Sequence, residues 1–89
     1  MAKKVVTAPL PDLNGDLDMY SIGEYIRHQR TSLGMTLVDA AALSNLSKQT
    51  YQNIEKGHAT VKVESLLKAC KALGVGLSIN TQETSDEWI

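Results

Sequence analysis

Apolar positions along this chain first repeat with helical spacing and then, near the end, with strand spacing. Ile22, Tyr25, Ile26 and Leu33 keep the spacing of a helix with one buried stripe. That run opens at Ser21, which forms an S-x-x-E capping box with Glu24, and it closes at Gly34, a left-handed stop. Thr36 with Asp39 repeats the capping logic ahead of a short Ala-rich helix that reaches about Leu43. Ser44 and Asn45 interrupt it, and Asn tolerates the left-handed conformation, so Asn45 turns the chain before Ser47 caps a third helix. In that helix Tyr51 and Ile54 share one side, while Lys48, Gln49, Gln52 and Asn53 lie together on the other. Gly57 ends it. After an extended stretch from His58 to Lys62, the residues Val63, Leu66, Leu67, Cys70 and Leu73 form the cleanest amphipathic stripe, stopped by Gly74.

Leu77, Ile79 and Thr81 then alternate with Ser78 and Asn80, the period of a short strand. A lone strand needs a partner. Apart from Val5 to Thr7 nothing else has a strand pattern, so the simplest solution is the same strand of a second subunit, with Leu77 and Ile79 at the seam. Residues 1–19 hold both prolines and Asn14-Gly15 without sustained periodicity, which predicts a partly disordered arm. The expected organisation is an arm at 1–19, a helical domain at 20–76, a dimerisation strand at 77–81 and an acidic tail at 82–89. The fold class is all-α, a bundle of four to five helices with a short C-terminal β-strand pairing across a homodimer.

With 89 residues the chain has room for one domain, and 43% apolar with 21% charged residues exclude wholesale disorder and fibrous repeats. No run approaches the roughly 20 apolar residues of a membrane span. Val5 and Val6 after Lys3 and Lys4 are too few for a secretory signal, so a cytoplasmic, nucleoid-associated protein is expected. The single cysteine, Cys70, has no disulfide partner and sits on an apolar stripe, which reads as a buried thiol. His28 and His58 are thirty positions apart without acidic or cysteine neighbours, so neither metal binding nor catalysis is expected. No nucleophile with a base, metal cluster or phosphate loop is present, which argues against an enzyme and against any cofactor.

A net charge of −1 first argues against nucleic acid, since phosphate neutralisation supplies most non-specific affinity. The distribution reverses this. Between Arg27 and Lys71 seven Lys or Arg face only Asp39, Glu55 and Glu64, whereas Asp12, Asp16, Asp18, Glu83, Asp86 and Glu87 lie outside that block. A short helix, a turn at Asn45 and a second helix with a polar outer face fit a helix-turn-helix, whose second helix enters the major groove of double-stranded DNA.

The run from Gly23 to Leu77 resembles the Xre family of phage-repressor and Cro-like domains. The matching positions are Gly23, Ile26, Arg27, Arg30, Gly34, Thr36, Ser47, Thr50, Ile54, Glu55 and Gly57, followed by Leu66-Leu67 and Ala72 to Val75. The resemblance implies a lambda-repressor-like bundle in which Lys48, Gln49, Gln52 and Asn53 face base edges, and Thr50 and Lys56 lie near phosphates. Ser47 and His58 complete the expected DNA-binding set. Gln and Asn can pair bidentately with adenine, and Lys with guanine O6 and N7, which supports the assignment independently. The resemblance also implies a structural ion pair between Arg30 and Glu55 that fixes the angle of the reading helix.

Two positions depart from the family pattern: Leu37 stands where Gln usually meets a phosphate, and Ala40 where Leu fills the core. Leu43 either compensates by packing or forms an exposed apolar spot. Tyr51, where the family has an aliphatic residue, is read as core packing rather than base stacking. The tail from Glu83 is acidic and ends in Trp88-Ile89, either a disordered end or a partner-binding peptide anchored by the Trp88 indole. Such a domain followed by a strand and a Trp-bearing tail is similar to HipB-type antitoxins. That resemblance implies a cognate toxin kinase as partner and repression of the protein's own operon. A DNA-binding repressor is the first expectation, and an antitoxin the alternative.

Overall fold

The computed structural model describes residues 5–78. Four helices follow in order: α1, Met19–Ser32; α2, Leu37–Leu43; α3, Lys48–Glu55; and α4, Val63–Ala72. The described residues contain no strand, and the fold is an all-α, lambda-repressor-like bundle. Leu77 and Ser78 have no regular structure, and the rest of the expected strand, 79–81, lies outside the described residues.

α1 begins earlier than the Ser21–Glu24 box suggested. Its N-cap is Asp18, in an extended conformation at φ −132°, whose carboxylate accepts the backbone N–H of Ser21 at 2.7 Å. That hydrogen bond holds the Asp18 carboxyl below its ordinary value. An anionic acceptor at a helix N-terminus outcompetes a hydroxyl three residues later, because it also meets the positive end of the helix dipole. The added turn is buttressed from outside: a Cβ on Gly57, just past α3, would stand 2.6 Å from the Tyr20 Cα. Gly57 also has φ +77°, so both the turn and this close approach demand glycine.

Thr36 and Asp39 form a complete capping box on α2, with Asp39 N–H donating to Thr36 Oγ1 at 3.1 Å and Thr36 N–H to Asp39 Oδ2 at 3.4 Å. Asn45 has φ 59°, the left-handed turn between α2 and α3. Ser44 closes α2 by donating its hydroxyl to the Ala40 carbonyl at 2.7 Å, and Ser47 caps α3 by accepting from Thr50 N–H at 3.1 Å. Helix, left-handed residue and N-cap thus follow within four positions, which makes the α2–α3 connection short and its angle sharp.

The core joins Ile26, Ala40, Ala41, Tyr51, Ile54, Leu66, Ala69, Cys70 and Leu73. Ala40 is fully enclosed while Leu43 is 60% exposed, so Leu43 forms the apolar surface spot rather than a compensating filler. Fully buried Tyr51 supplies bulk to the same cluster. The α4 stripe is narrower than its pattern: Leu66, Cys70 and Leu73 turn inward with Ala69, but Val63 is 68% and Leu67 50% exposed. α4 packs chiefly on α2 and α3, and a single contact sector cannot cover every apolar position of a helix. The segment before α1 is fastened to it at Ala8. The Ala8 N–H donates to Thr31 Oγ1 at 2.7 Å, and His28 Nδ1 donates to the Ala8 carbonyl at 2.8 Å. No helix of the described residues is long and apolar enough to cross a membrane.

Candidate nucleic-acid interface

The outer face of α3 is built by its inner face. Tyr51 and Ile54 are fully buried, and that anchoring turns positions 48, 49, 52 and 53 outward. Lys48 and Gln49 are exposed, and Gln52 and Asn53 are partly so. The Gln49 amide donates to Asn53 Oδ1 at 3.0 Å, one turn along the same face. Thr50 is half-buried and shares a hydrogen bond with the Ser47 hydroxyl at 2.9 Å. Lys56, the C-cap, and His58 are exposed just beyond the helix. Of the expected DNA-binding set, Lys48, Gln49, Gln52 and Asn53 share the outer face of α3, Ser47 and Thr50 meet in its first turn, and Lys56 and His58 follow its C-terminal end.

Arg30 and Glu55 join α1 to the end of α3. Arg30 Nε donates to Glu55 Oε2 at 2.6 Å and Nη2 to Oε1 at 3.1 Å, a two-point contact. The third guanidinium nitrogen donates to the Met35 carbonyl at 2.8 Å, tying the α1–α2 connection into the same node. Both side chains are buried, 11% and 8% exposed, so the pair is shielded from solvent and held by geometry.

Leu77 is exposed at the end of the described chain, while Ile79 and Trp88 lie outside the described residues. Cys70 is buried, and burial pushes its thiol up from the ordinary value. Among the described residues no group of His, Cys, Asp and Glu is placed to hold a metal ion.

Two polar recesses flank α3 that the sequence reading did not single out. One is lined by Arg27, Arg30, Leu37, Gln52, Glu55 and Lys56, the other by Thr50, Asn53, Thr60, Val61, Lys62 and Ser65. Arg27 was legible in principle: three residues before Arg30, it shares the α1 face that meets Glu55. Thr60, Lys62 and Ser65 carry no such local signal, since the turn after Gly57 decides where they point.

No curated protein shows significant sequence similarity to this chain. Among solved structures, it is 28% identical to the restriction-modification controller protein C.AhdI from Aeromonas hydrophila, over 65% of this chain and 88% of that one, with a TM-score of 0.59. It is 31% identical to the clp gene regulator ClgR from C. glutamicum, over 70% of this chain and 80% of that one, with a TM-score of 0.59. HipB in a HipB-O4 20mer complex shares the fold, with a TM-score of 0.68 over 78% of this chain and 97% of that one, at 13% identity. The helix-turn-helix family model matches residues 26–80, and with the α2–turn–α3 geometry it shows that the chain belongs to the Xre-type helix-turn-helix family of non-enzymatic, DNA-binding transcription regulators.

Proposed function

We propose that the protein is a homodimeric repressor, acting in the cytoplasm, that reads a pseudo-palindromic operator with α3 of each subunit. Lys48, Gln49, Gln52 and Asn53 meet base edges, and Ser47, Thr50, Lys56 and His58 approach phosphates. One observation carries this reading: a short helix, fully buried on its inner face, presents four hydrogen-bonding side chains outward, where each good bidentate pair discriminates by about 1–3 kcal/mol. Two such helices spaced about one DNA turn, ~34 Å, would read the two half-sites. The dimer reading is supported by apolar surface where the chain leaves the bundle: an open groove of about 310 Å³ lies between Leu13, Leu17, Tyr25 and the 74–77 segment. Lys48→Ala with Gln49→Ala is expected to abolish selective binding to the protein's own upstream DNA in a gel shift. Unchanged affinity in that variant sinks the assignment of α3.

A second reading is favoured by the HipB likeness, which spans nearly all of that chain, and HipB also occurs in a HipA-HipB-O2-O3 complex. Here the protein is an antitoxin whose exposed Leu43 and Trp88-bearing tail bind a toxin kinase, with DNA binding serving autoregulation. Co-purification with the product of a neighbouring kinase-like gene, lost on removing residues 82–89, is the expected result. Co-purification that survives this truncation removes the tail from the interface.

A further inference from the structure

Residues 5–18 run back along α1 as an arm, fixed at one end by the Asp18 cap and at the other by Ala8. Both backbone groups of Ala8 are engaged: its N–H donates to Thr31 Oγ1 at 2.7 Å, and its carbonyl accepts from His28 Nδ1 at 2.8 Å. Buried Thr31 spends its own proton on the Arg27 carbonyl at 2.8 Å, which leaves its oxygen free to accept, and the Tyr25 ring lies 6.1 Å from that of His28. Ala8 is thus a two-point latch, and the arm precedes residues 26–80, which the family model matches. Between latch and cap the arm brings Leu13 and Leu17 to the open groove of about 310 Å³, where Ile22 and Tyr25 of α1 and Val75 and Leu77 after α4 join them in the lining. Leu13, Leu17 and Leu77 stay exposed, and the described chain ends at this groove, after Ser78.

Charge decides what the groove can take. Residues 77–82 are uncharged, whereas Glu83, Asp86 and Glu87 follow them, and the arm itself carries exposed Asp12, Asp16 and Asp18. Like charges repel, so the groove admits the uncharged stretch and turns the acidic one away. Leu77 already lines the groove of its own chain, and a stretch with strand alternation carries an unpaired backbone edge. A second copy supplies both a filler and an edge, each subunit's groove taking the other's stretch in a two-fold arrangement. We infer that the N-terminal arm is part of the homodimer seam, forming with α1 and the 74–77 segment the groove that takes residues 77–82 of a second copy. The inference rests on the homodimer proposed above and adds the arm to it. The Ala8 latch orders the arm before association, so its ordering entropy does not weigh against dimerisation.

The full chain and its variants are compared by analytical ultracentrifugation over a dilution series, with melting temperature as the check on folding. Leu13→Glu, on the arm and in the groove, is expected to raise the dimer dissociation constant by about tenfold or more. Leu10→Glu, equally on the arm but outside the groove lining, leaves it unchanged. Thr31→Val with His28→Phe opens the latch and raises the constant by about tenfold, the weight of two ordinary hydrogen bonds, while Thr31→Ser keeps the hydroxyl and the dimer. A dimer that Leu13→Glu leaves intact removes the arm from the seam, and so does a folded latch variant with the parental constant; the homodimer then stands without the arm. A parent that stays monomeric at every concentration overturns the homodimer and the arm's part in it together. The occupant is read by oxidising a mixture of differently tagged Leu13→Cys and Ile79→Cys chains, where a disulfide between the two tags is expected. A chain carrying both substitutions that closes on itself at every dilution would show the groove filled by its own stretch and overturn the second copy as occupant.

Discussion

Gly23 in α1 lies directly against the carbonyl oxygen of Ile54 in α3, with no room for a side chain between them. A Cβ there would also stand 2.8 Å from the Glu55 carbonyl oxygen, and both obstacles are backbone atoms at the end of α3. In an ordinary helix interior Gly→Ala gains up to about 1 kcal/mol. Here the sign reverses: Gly23→Ala is expected to destabilise by about 1–3 kcal/mol, as overpacking does, because α1 and α3 must separate. Urea unfolding measures this, and a stabilised variant would contradict the close approach.

What local chemistry decides was legible in the sequence. Thr36 with Asp39, Asn45 and Ser47 act within three or four positions of themselves, and each takes the predicted conformation. What distant neighbours decide was not. The outside support of the first turn of α1 depends on Gly57 meeting Tyr20, and the exposure of Val63 and Leu67 depends on which helices reach α4. The fastening of Ala8 to Thr31 and His28 spans more than twenty residues and leaves no periodic trace. The outward face of α3 could be read because Tyr51 and Ile54 define it from within one helix. The recess at Arg27 needed three elements brought together.

Arg30→Ala leaves the Glu55 carboxylate buried without its partner, and breaking such a pair costs about 3–5 kcal/mol. Against a total of about 5–15 kcal/mol for a domain, the variant is expected to be marginally folded. Arg30→Met combined with Glu55→Leu removes both charges at similar volume and should recover most of that loss. If the pair fixes the angle of α3, the double variant melts near the parent yet binds DNA more weakly. Parental affinity in that folded variant refutes the orienting role.

Tyr51 hides a hydroxyl with no hydrogen-bond partner among the described residues, and burial, reinforced by the nearby Glu55 charge, pushes its phenol far above the ordinary value. Tyr51→Phe removes the unsatisfied group and is expected to stabilise by about 1 kcal/mol at neutral pH. The pH dependence has a definite sign. A phenol whose folded value is raised contributes stability that is whole below about pH 10, where the unfolded chain starts to ionise, and that declines as pH rises further. The stability gap between Tyr51→Phe and the parent should therefore widen above about pH 10. A gap that stays constant to higher pH means that Tyr51 ionises as readily folded as unfolded.

Gln49 and Asn53 are bonded to one another across a turn of the outer face of α3, so each fixes the orientation of the other's amide. The bond commits one Gln49 N–H and the Asn53 carbonyl oxygen, leaving the Gln49 oxygen, its second N–H and the Asn53 amino group for base edges. If α3 reads DNA as proposed, two side chains held this way meet it as one unit rather than as independent contacts. Gln49→Ala and Asn53→Ala should each cost operator affinity, and the double variant should lose less than the sum, with a coupling of about 0.5–3 kcal/mol. The cycle is closed by measuring all four proteins on one duplex at one salt concentration. Strict additivity would mean that the amide pair opens before binding, so that each side chain finds its base alone.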